Sequence, residues 1–254
     1  MRTFILNPEA LGEGSLILVN AAYPLRKEPA SASLGPALYR QPEILMEQRA
    51  ASLLQQLVGS LSREDSIVAV SGFRPLNEQR AIYEDSLREH GAAFTSTYVA
   101  LPGHSEHQTG LAIDLAKKQE KIDFIRPEFP DTGVCGTFRL RAPKYGFIER
   151  YPKDKEHITK IGGEPWHFRY VGFPHSRIMT DLRLTLEEYV DYLKDFPWDS
   201  HPLSYHDSGI LIQIGYQPCQ PDGGAAVRIP EGNPFLVSGN NVDGYIVTVW
   251  KESL

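Results

Sequence analysis

The chain has 254 residues, with 26 Lys and Arg against 32 Asp and Glu, a formal charge of −6, 41% hydrophobic and 23% charged residues. That composition supports a hydrophobic core and excludes a chain kept unfolded by self-repulsion. Mild acidity without Lys/Arg blocks argues against nucleic acid or an anionic lipid surface as main partner.

The length suits one domain, or one plus an appendage, and no stretch approaches the roughly 18 consecutive apolar residues of a membrane span. The N-terminus offers Phe4, Ile5 and Leu6 and then polar, Gly and Pro residues, short of a secretion signal. For a full-length chain this points to the cytoplasm. Cys135 and Cys219 are far apart and form no CxxC, so a disulfide framework or cysteine zinc knuckle is excluded and both are expected to be reduced.

In chain order, Ser15 to Val19 reads as a short strand, and Pro24, Pro29 and Pro36 mark an extended arm. From Pro42 through Leu61 apolar residues recur at helical spacing, with Pro42 placed to start a helix. Ile67 to Val70 is a β-branched run ending in Ser71-Gly72, and residues 77–90 read as helix. Leu111 to Ala116 alternates large apolar with small or acidic side chains, a strand period. Arg139 to Tyr145 reads as a short helix broken at Pro143, Gly146 to Tyr151 and Trp166 to Val171 as strands, and Thr185 to Phe196 as helix. Without a βαβ rhythm, the order predicts an α+β fold with helices on an antiparallel sheet. Around Pro197 to Ser200 the pattern changes. Short strands at 210–213, 226–229, 235–238 and 245–250 predict a β-rich appendage over 199–254, after a main domain over 1–198.

Chemistry concentrates in two clusters. In Ser105-Glu106-His107-Gln108-Thr109-Gly110-Leu111-Ala112-Ile113-Asp114 the strand alternation leaves Asp114 flanked by methyl groups. An ionised acid there needs a cation or strong donors. His107 and Asp114 would point to opposite faces of one unbroken strand, but Gly110 lets the chain turn and return His107 to the Asp114 side. Two readings stand at this point: a metal pair, or a buried Asp114–Arg pair with His107 on a surface loop.

The second cluster is Glu164-Pro165-Trp166-His167-Phe168-Arg169-Tyr170. Trp166, Phe168 and Tyr170 form an apolar face, with His167 and Arg169 opposite. A histidine in such a strand also reads as a satisfied core side chain, but Glu164 lies three positions earlier, freed from the strand by Pro165 and two glycines. His107, Asp114 and His167 around zinc, with Glu164 to take a proton from water, would make a complete hydrolytic site. Ser71-Gly72-Phe73-Arg74 adds a guanidinium at a strand end, readable as a solvated turn residue or as the group that balances an oxyanion.

Together, Ser105-x-His107-x-x-Gly110-x-Ala112-x-Asp114, Glu164-x-x-His167 and Ser71-Gly72-Phe73-Arg74 with Gln79 resemble the LAS group of zinc peptidases, and more narrowly the D-alanyl-D-alanine peptidases of vancomycin resistance, the VanX, VanY and VanXY types. The resemblance spans residues 15–175; residues 199–254 fall outside the common pattern. It implies a small central antiparallel sheet, zinc ligands His107, Asp114 and His167, general base Glu164, oxyanion stabiliser Arg74, and substrate contacts Ser105 and Gln79. Pro102 to His107 looks most like carboxypeptidase members, many of which carry an N-terminal anchor. None is visible here, which points to the cytoplasmic bifunctional VanXY type. The implied activity is hydrolysis of the terminal D-Ala-D-Ala bond in the dipeptide, in pentapeptide cell-wall precursors, or both, supporting glycopeptide resistance.

A rival enzyme reading is an endolysin-like L-Ala-D-Glu endopeptidase with the same ligands, its β-rich segment a wall-binding module. A rival of another class is a non-catalytic zinc-holding domain, as in hedgehog proteins. Glu164 and Arg74 argue against the latter, since a binding module needs no base beside its metal. Tyr98, His104 and Tyr151 are further side chains whose reach toward substrate the spacing leaves open.

Overall fold

A computed structural model describes residues 1–61 and 66–252; the last two residues of the expected appendage lie outside the described residues. The chain forms two compact units, Val19–Thr185 and a second made of Met1–Leu18 with the chain from Leu186 onward. In order, the elements are β1 (Arg2–Leu6), β2 (Leu34–Leu38), β3 (Gln41–Glu47), α1 (Gln48–Gly59), β4 (Ile67–Ser71), α2 (Leu76–Tyr98), β5 (Ala112–Lys117) and α3 (Gly133–Arg141). They continue with β6 (Phe147–Tyr151), α4 (Glu156–Thr159), β7 (Glu164–Tyr170), α5 (His175–Leu182), α6 (Leu186–Tyr192), β8 (Leu203–Asp207), β9 (Ile210–Pro218), β10 (Ala225–Ile229), β11 (Phe235–Gly239) and β12 (Gly244–Glu252).

The unit Val19–Thr185 is built on an antiparallel sheet of order β4-β5-β7-β6, the small central sheet of an α+β fold. β5 and β7 are its middle strands, and five of the six β5 residues are buried. A strand covered on both faces leaves no solvated side for a charge, so Asp114 is forced into the interior. Away from the Asp114 side, Phe168 packs edge-on against Phe129 and Phe138, with ring centroids 5.4 and 4.9 Å away.

The expected helix from Pro42 is corrected in its first half. Residues 41–47 form β3, because pairing with β2 in the register Leu34↔Glu47, Gly35↔Met46 and Pro36↔Leu45 outweighs helical periodicity. The helix starts at Gln48, where the Glu47 carboxylate accepts a hydrogen bond from Ala50 N at 3.0 Å. The arm also contributes β2, which its prolines concealed. Helix α2 runs beyond the expected residue 90 to Tyr98, through a kink at Gly91 (φ 79°, ψ 172°).

In the other unit, the expected strand at 15–19 is absent. Residues 16–18 are buried, but their polar groups pair singly rather than in a ladder: Leu16 N donates to Ser238 Oγ, Leu18 N to Asn240 O, and Asn241 Nδ2 to Leu18 O. The β-rich segment forms a sheet of order β11-β12-β9-β8, and β10 pairs with β1 from the other end of the chain. This unit therefore takes in β1 and α6, which the division at 198/199 assigned to the main domain. Trp198, Val227, Ile229, Val247 and Val249 form part of its core.

Phe168→Ala is expected to destabilise the protein by about 3–5 kcal/mol, the usual cost of emptying a buried aromatic site. Denaturant unfolding checks this; a change below about 1 kcal/mol contradicts the packing described.

Candidate active site

The site grows from the pairing of β5 with β7, whose register sets Asp114 directly opposite His167. His167 Nδ1 lies 2.9 Å from Asp114 Oδ1. His107 arrives from outside the sheet. It sits in a single 3₁₀ turn, Glu106–Thr109, that ends at Gly110 with φ 72°, a conformation that costs glycine little. The Gly110 carbonyl accepts from Glu47 N at 2.8 Å, tying the turn to the start of α1. His107 Nε2 then lies 3.1 Å from Asp114 Oδ2, so Asp114 bridges two imidazoles.

The His107 tautomer is fixed from β4. Nδ1 donates to the Gly72 carbonyl at 2.7 Å, leaving Nε2 to face Asp114. Gly72 is held against β3: a Cβ there would lie 2.3 Å from Leu45 O and 2.9 Å from Ile44 Cγ2. The next residues continue the clamp, with Phe73 N donating to Leu45 O at 2.6 Å and Arg74 N to His107 O at 3.2 Å. Bulges flank the site on both sides, between Ala69 and Ser71 opposite β5 and between Glu149 and Tyr151 opposite β7. Such irregularities re-aim side chains. Here the Tyr151 ring comes to 4.9 Å from that of His167, while Arg150 Nε reaches Glu106 at 2.8 Å.

His107, Asp114 and His167 are buried, and their candidate ligand atoms all lie within 4.8 Å of one another. Tetrahedral zinc with bonds of about 2.0–2.1 Å sets neighbouring ligand atoms about 3.3 Å apart. His107 Nε2 lies 3.1 Å from Asp114 Oδ2 and His167 Nδ1 2.9 Å from Oδ1, so both imidazoles stand beside the same carboxylate at about that spacing, and two imidazoles with one carboxylate are a donor set that zinc accepts. The three residues fit a divalent metal.

The electrostatics agree. Burial opposes ionisation of Asp114, but His107 and His167 outweigh it and hold the carboxyl well below the usual range. His107 is pushed down to about 4 by burial and by Arg74. His167 goes the other way: burial opposes its charge, yet hydrogen bonds to Asp114 and Glu106 lift it to about 9. Glu164, whose Oε2 lies 3.8 Å from His167 Nδ1, is raised to about 8 by burial, against the pull of His167. Its carboxylate is therefore a far better proton acceptor than an exposed one.

Arg74, Gln79, Ser105 and Glu164 line one cleft with the three candidate ligands, as do Tyr98, Tyr151 and Trp166. Every site residue expected from the sequence is in or beside that cleft. Arg74 Nε and Gln79 Oε1 are buried without a hydrogen-bond partner among the described residues, while Gln79 Nε2 donates to Ala100 O at 2.8 Å. His104 turns elsewhere, its Nδ1 lying 2.8 Å from Asn20 O. Sequence reasoning passed over Glu106, Arg150 and Arg169, a buried carboxylate with two buried guanidiniums. The available signal was a charge at each of these positions inside otherwise buried segments.

Comparison with known proteins bears on this geometry. Residues 43–173 match the family described as VanY: D-alanyl-D-alanine carboxypeptidase. The bifunctional D-Ala-D-Ala dipeptidase and D-Ala-D-Ala carboxypeptidase VanXYC of Enterococcus gallinarum is 46% identical over 180 residues, 70% of this chain and 95% of that protein. The crystal structure of the vancomycin resistance D,D-dipeptidase VanXYg in complex with a D-Ala-D-Ala phosphinate analog superposes with TM-score 0.95 at 48% identity, covering 98% of this chain and 99% of that one. Its coverage includes most of residues 199–254, which therefore have a counterpart in a relative. A VanY D,D-pentapeptidase from a VanB-type resistance cassette, solved with Zn(II), matches 70% of this chain and 99% of its own at 32% identity and TM-score 0.55.

Gly72→Ala forces a methyl group into the Leu45 carbonyl and is expected to cost about 1–3 kcal/mol, as overpacking does. A thermal melt reads the effect; an unchanged midpoint contradicts the close approach of β3 and β4.

Proposed function

This chain belongs to the VanY family of D-alanyl-D-alanine carboxypeptidases, and from that premise we propose that it is a zinc-dependent D,D-peptidase. It hydrolyses the terminal D-Ala-D-Ala bond of the free dipeptide and of pentapeptide cell-wall precursors, and so supports glycopeptide resistance. The observation that carries this reading is the convergence of His107, Asp114 and His167 in one buried cluster, with Glu164 and Arg74 on the same cleft.

His107 through Nε2, His167 through Nδ1 and Asp114 through its carboxylate hold the metal in this proposal. Zinc bound there supplies a Lewis acid for the scissile carbonyl and acidifies the attacking water. Glu164 takes the water proton on its carboxylate and passes it to the leaving amine, a task suited to a buried carboxyl whose proton affinity burial raises. Arg74, with its buried and unpartnered Nε, balances the negative oxygen that develops on the attacked carbonyl. Gln79 Oε1, unpartnered in the cleft wall, accepts from a substrate N–H, and Ser105 offers a hydroxyl beside it. The leaving group is D-alanine.

No helix among the described residues is long and apolar enough to cross a membrane. Cytoplasmic residence is part of the proposal and is supported by two free cysteines, which reducing compartments preserve. The catalytic unit in this proposal is Val19–Thr185, within which every proposed catalytic residue lies.

Purified zinc-loaded protein is expected to release D-alanine from both the dipeptide and a pentapeptide precursor; release from neither overturns the reading. Glu164→Ala should keep stoichiometric zinc and lose about 10²–10⁴-fold in rate, whereas His167→Ala should lose zinc and thermal stability together. Full hydrolysis by the first variant removes Glu164 from the mechanism, and unchanged zinc content in the second refutes the ligand assignment.

A further inference from the structure

One buried carboxylate has no part in that scheme. Glu106 lies beside His107 in the same turn and is 2% exposed. Its Oε2 lies 3.5 Å from His167 Nε2, on the ring edge opposite the nitrogen that faces Asp114. Among the described residues neither Glu106 Oε2 nor His167 Nε2 has a hydrogen-bond partner of ordinary geometry, so each is the group to which the other is addressed. The second oxygen is taken: Arg150 Nε lies 2.8 Å and Arg169 Nη1 2.9 Å from Glu106 Oε1, with both arginine side chains fully buried.

Stability does not account for such a cluster. Burying a carboxylate with two guanidiniums exacts a desolvation penalty that their attraction hardly recovers, and packed apolar side chains of the same volume often do as well or better. What the cluster supplies is a fixed acceptor. An imidazole that offers Nδ1 to a cation must carry its proton on Nε2, and an outer carboxylate there sets tautomer and ring orientation together. With both arginines on Oε1, the oxygen presented to His167 is Oε2 alone.

We propose that Glu106 is a positioning residue for the metal centre. It accepts the His167 Nε2–H, directs Nδ1 toward the space shared with His107 and Asp114, and is itself held by Arg150 and Arg169. The inference rests on the metal-site reading above. It also makes the centre asymmetric. His107 is oriented by a neutral carbonyl, that of Gly72, and His167 by a carboxylate, so His167 is the more basic donor. Because Glu106 and His107 are neighbours, one turn carries a proposed ligand and the support of the ligand across from it. A shift of that turn disturbs both imidazoles at once.

Histidine ¹⁵N spectra of the zinc-loaded wild-type protein, with the His167 ring assigned through its own backbone resonances, test the tautomer without touching Glu106. The expected result is a proton on His167 Nε2 and metal on Nδ1; metal on Nε2 overturns the proposal. In competition with a chelator, Glu106→Gln is expected to weaken zinc binding about 10–100-fold while the metal-free protein keeps its far-ultraviolet circular dichroism. Unchanged zinc affinity in a folded Glu106→Gln protein, alongside loss of zinc in His107→Ala, overturns the positioning role and leaves the metal site standing. Failure of the wild-type chain to bind zinc overturns both.

Discussion

The structure turns on the burial of Asp114 between two imidazoles. A carboxylate on a central strand, covered on both faces and flanked by alanines, cannot be left to itself in a low-dielectric interior. His107 and His167 answer it at 3.1 and 2.9 Å, and their answer is incomplete, since each has a second nitrogen that must be served elsewhere. The Gly72 carbonyl serves one. Around this core further buried charges meet: Arg150 and Arg169 keep the Glu106 carboxyl ionised, and the Arg74 guanidinium faces Asp114 and Glu164.

The scaffold exists to hold these groups against their tendency to separate. The β5–β7 register brings two of them together; a left-handed glycine at position 110 folds the third back onto them. Bulges in the flanking strand pairs let β4 and β6 depart from strict alternation where the site needs it. Gly72 allows β3 to lie close enough that backbone hydrogen bonds, rather than flexible side chains, fix the exit of β4. This is rigid support of the kind that catalysis by preorganised charge requires.

Much of the site was legible in the sequence because it is encoded locally. The alternation around Asp114 announced a buried acid, and the odd spacing to His107 demanded a turn where Gly110 stands. Glu164, three positions before His167, was visible for the same reason, although it was expected to lie free of the strand and instead opens β7, paired with Tyr151 beyond the bulge in β6. What escaped was non-local. β3 looked helical because its partner β2 was hidden in a proline-rich arm, and β1 pairs with a strand more than 200 residues away. Residues 15–19 have the composition of a strand, yet Leu16 and Leu18 pair with the Ser238 hydroxyl, the Asn240 carbonyl and the Asn241 side chain instead of a ladder. Glu106 was invisible as a partner of His167 because the contact joins a turn before β5 to β6 and β7, which supply Arg150 and Arg169 from more than 40 residues further along the chain.

The central claim is that two imidazoles and one aspartyl group share a single metal ion with room left for solvent. X-ray absorption at the zinc edge of the loaded protein tests it most directly. The account predicts two imidazole nitrogens with oxygen donors at about 2.0–2.2 Å and no sulfur. A shell with fewer than two imidazoles, or with sulfur at about 2.3 Å, would contradict it.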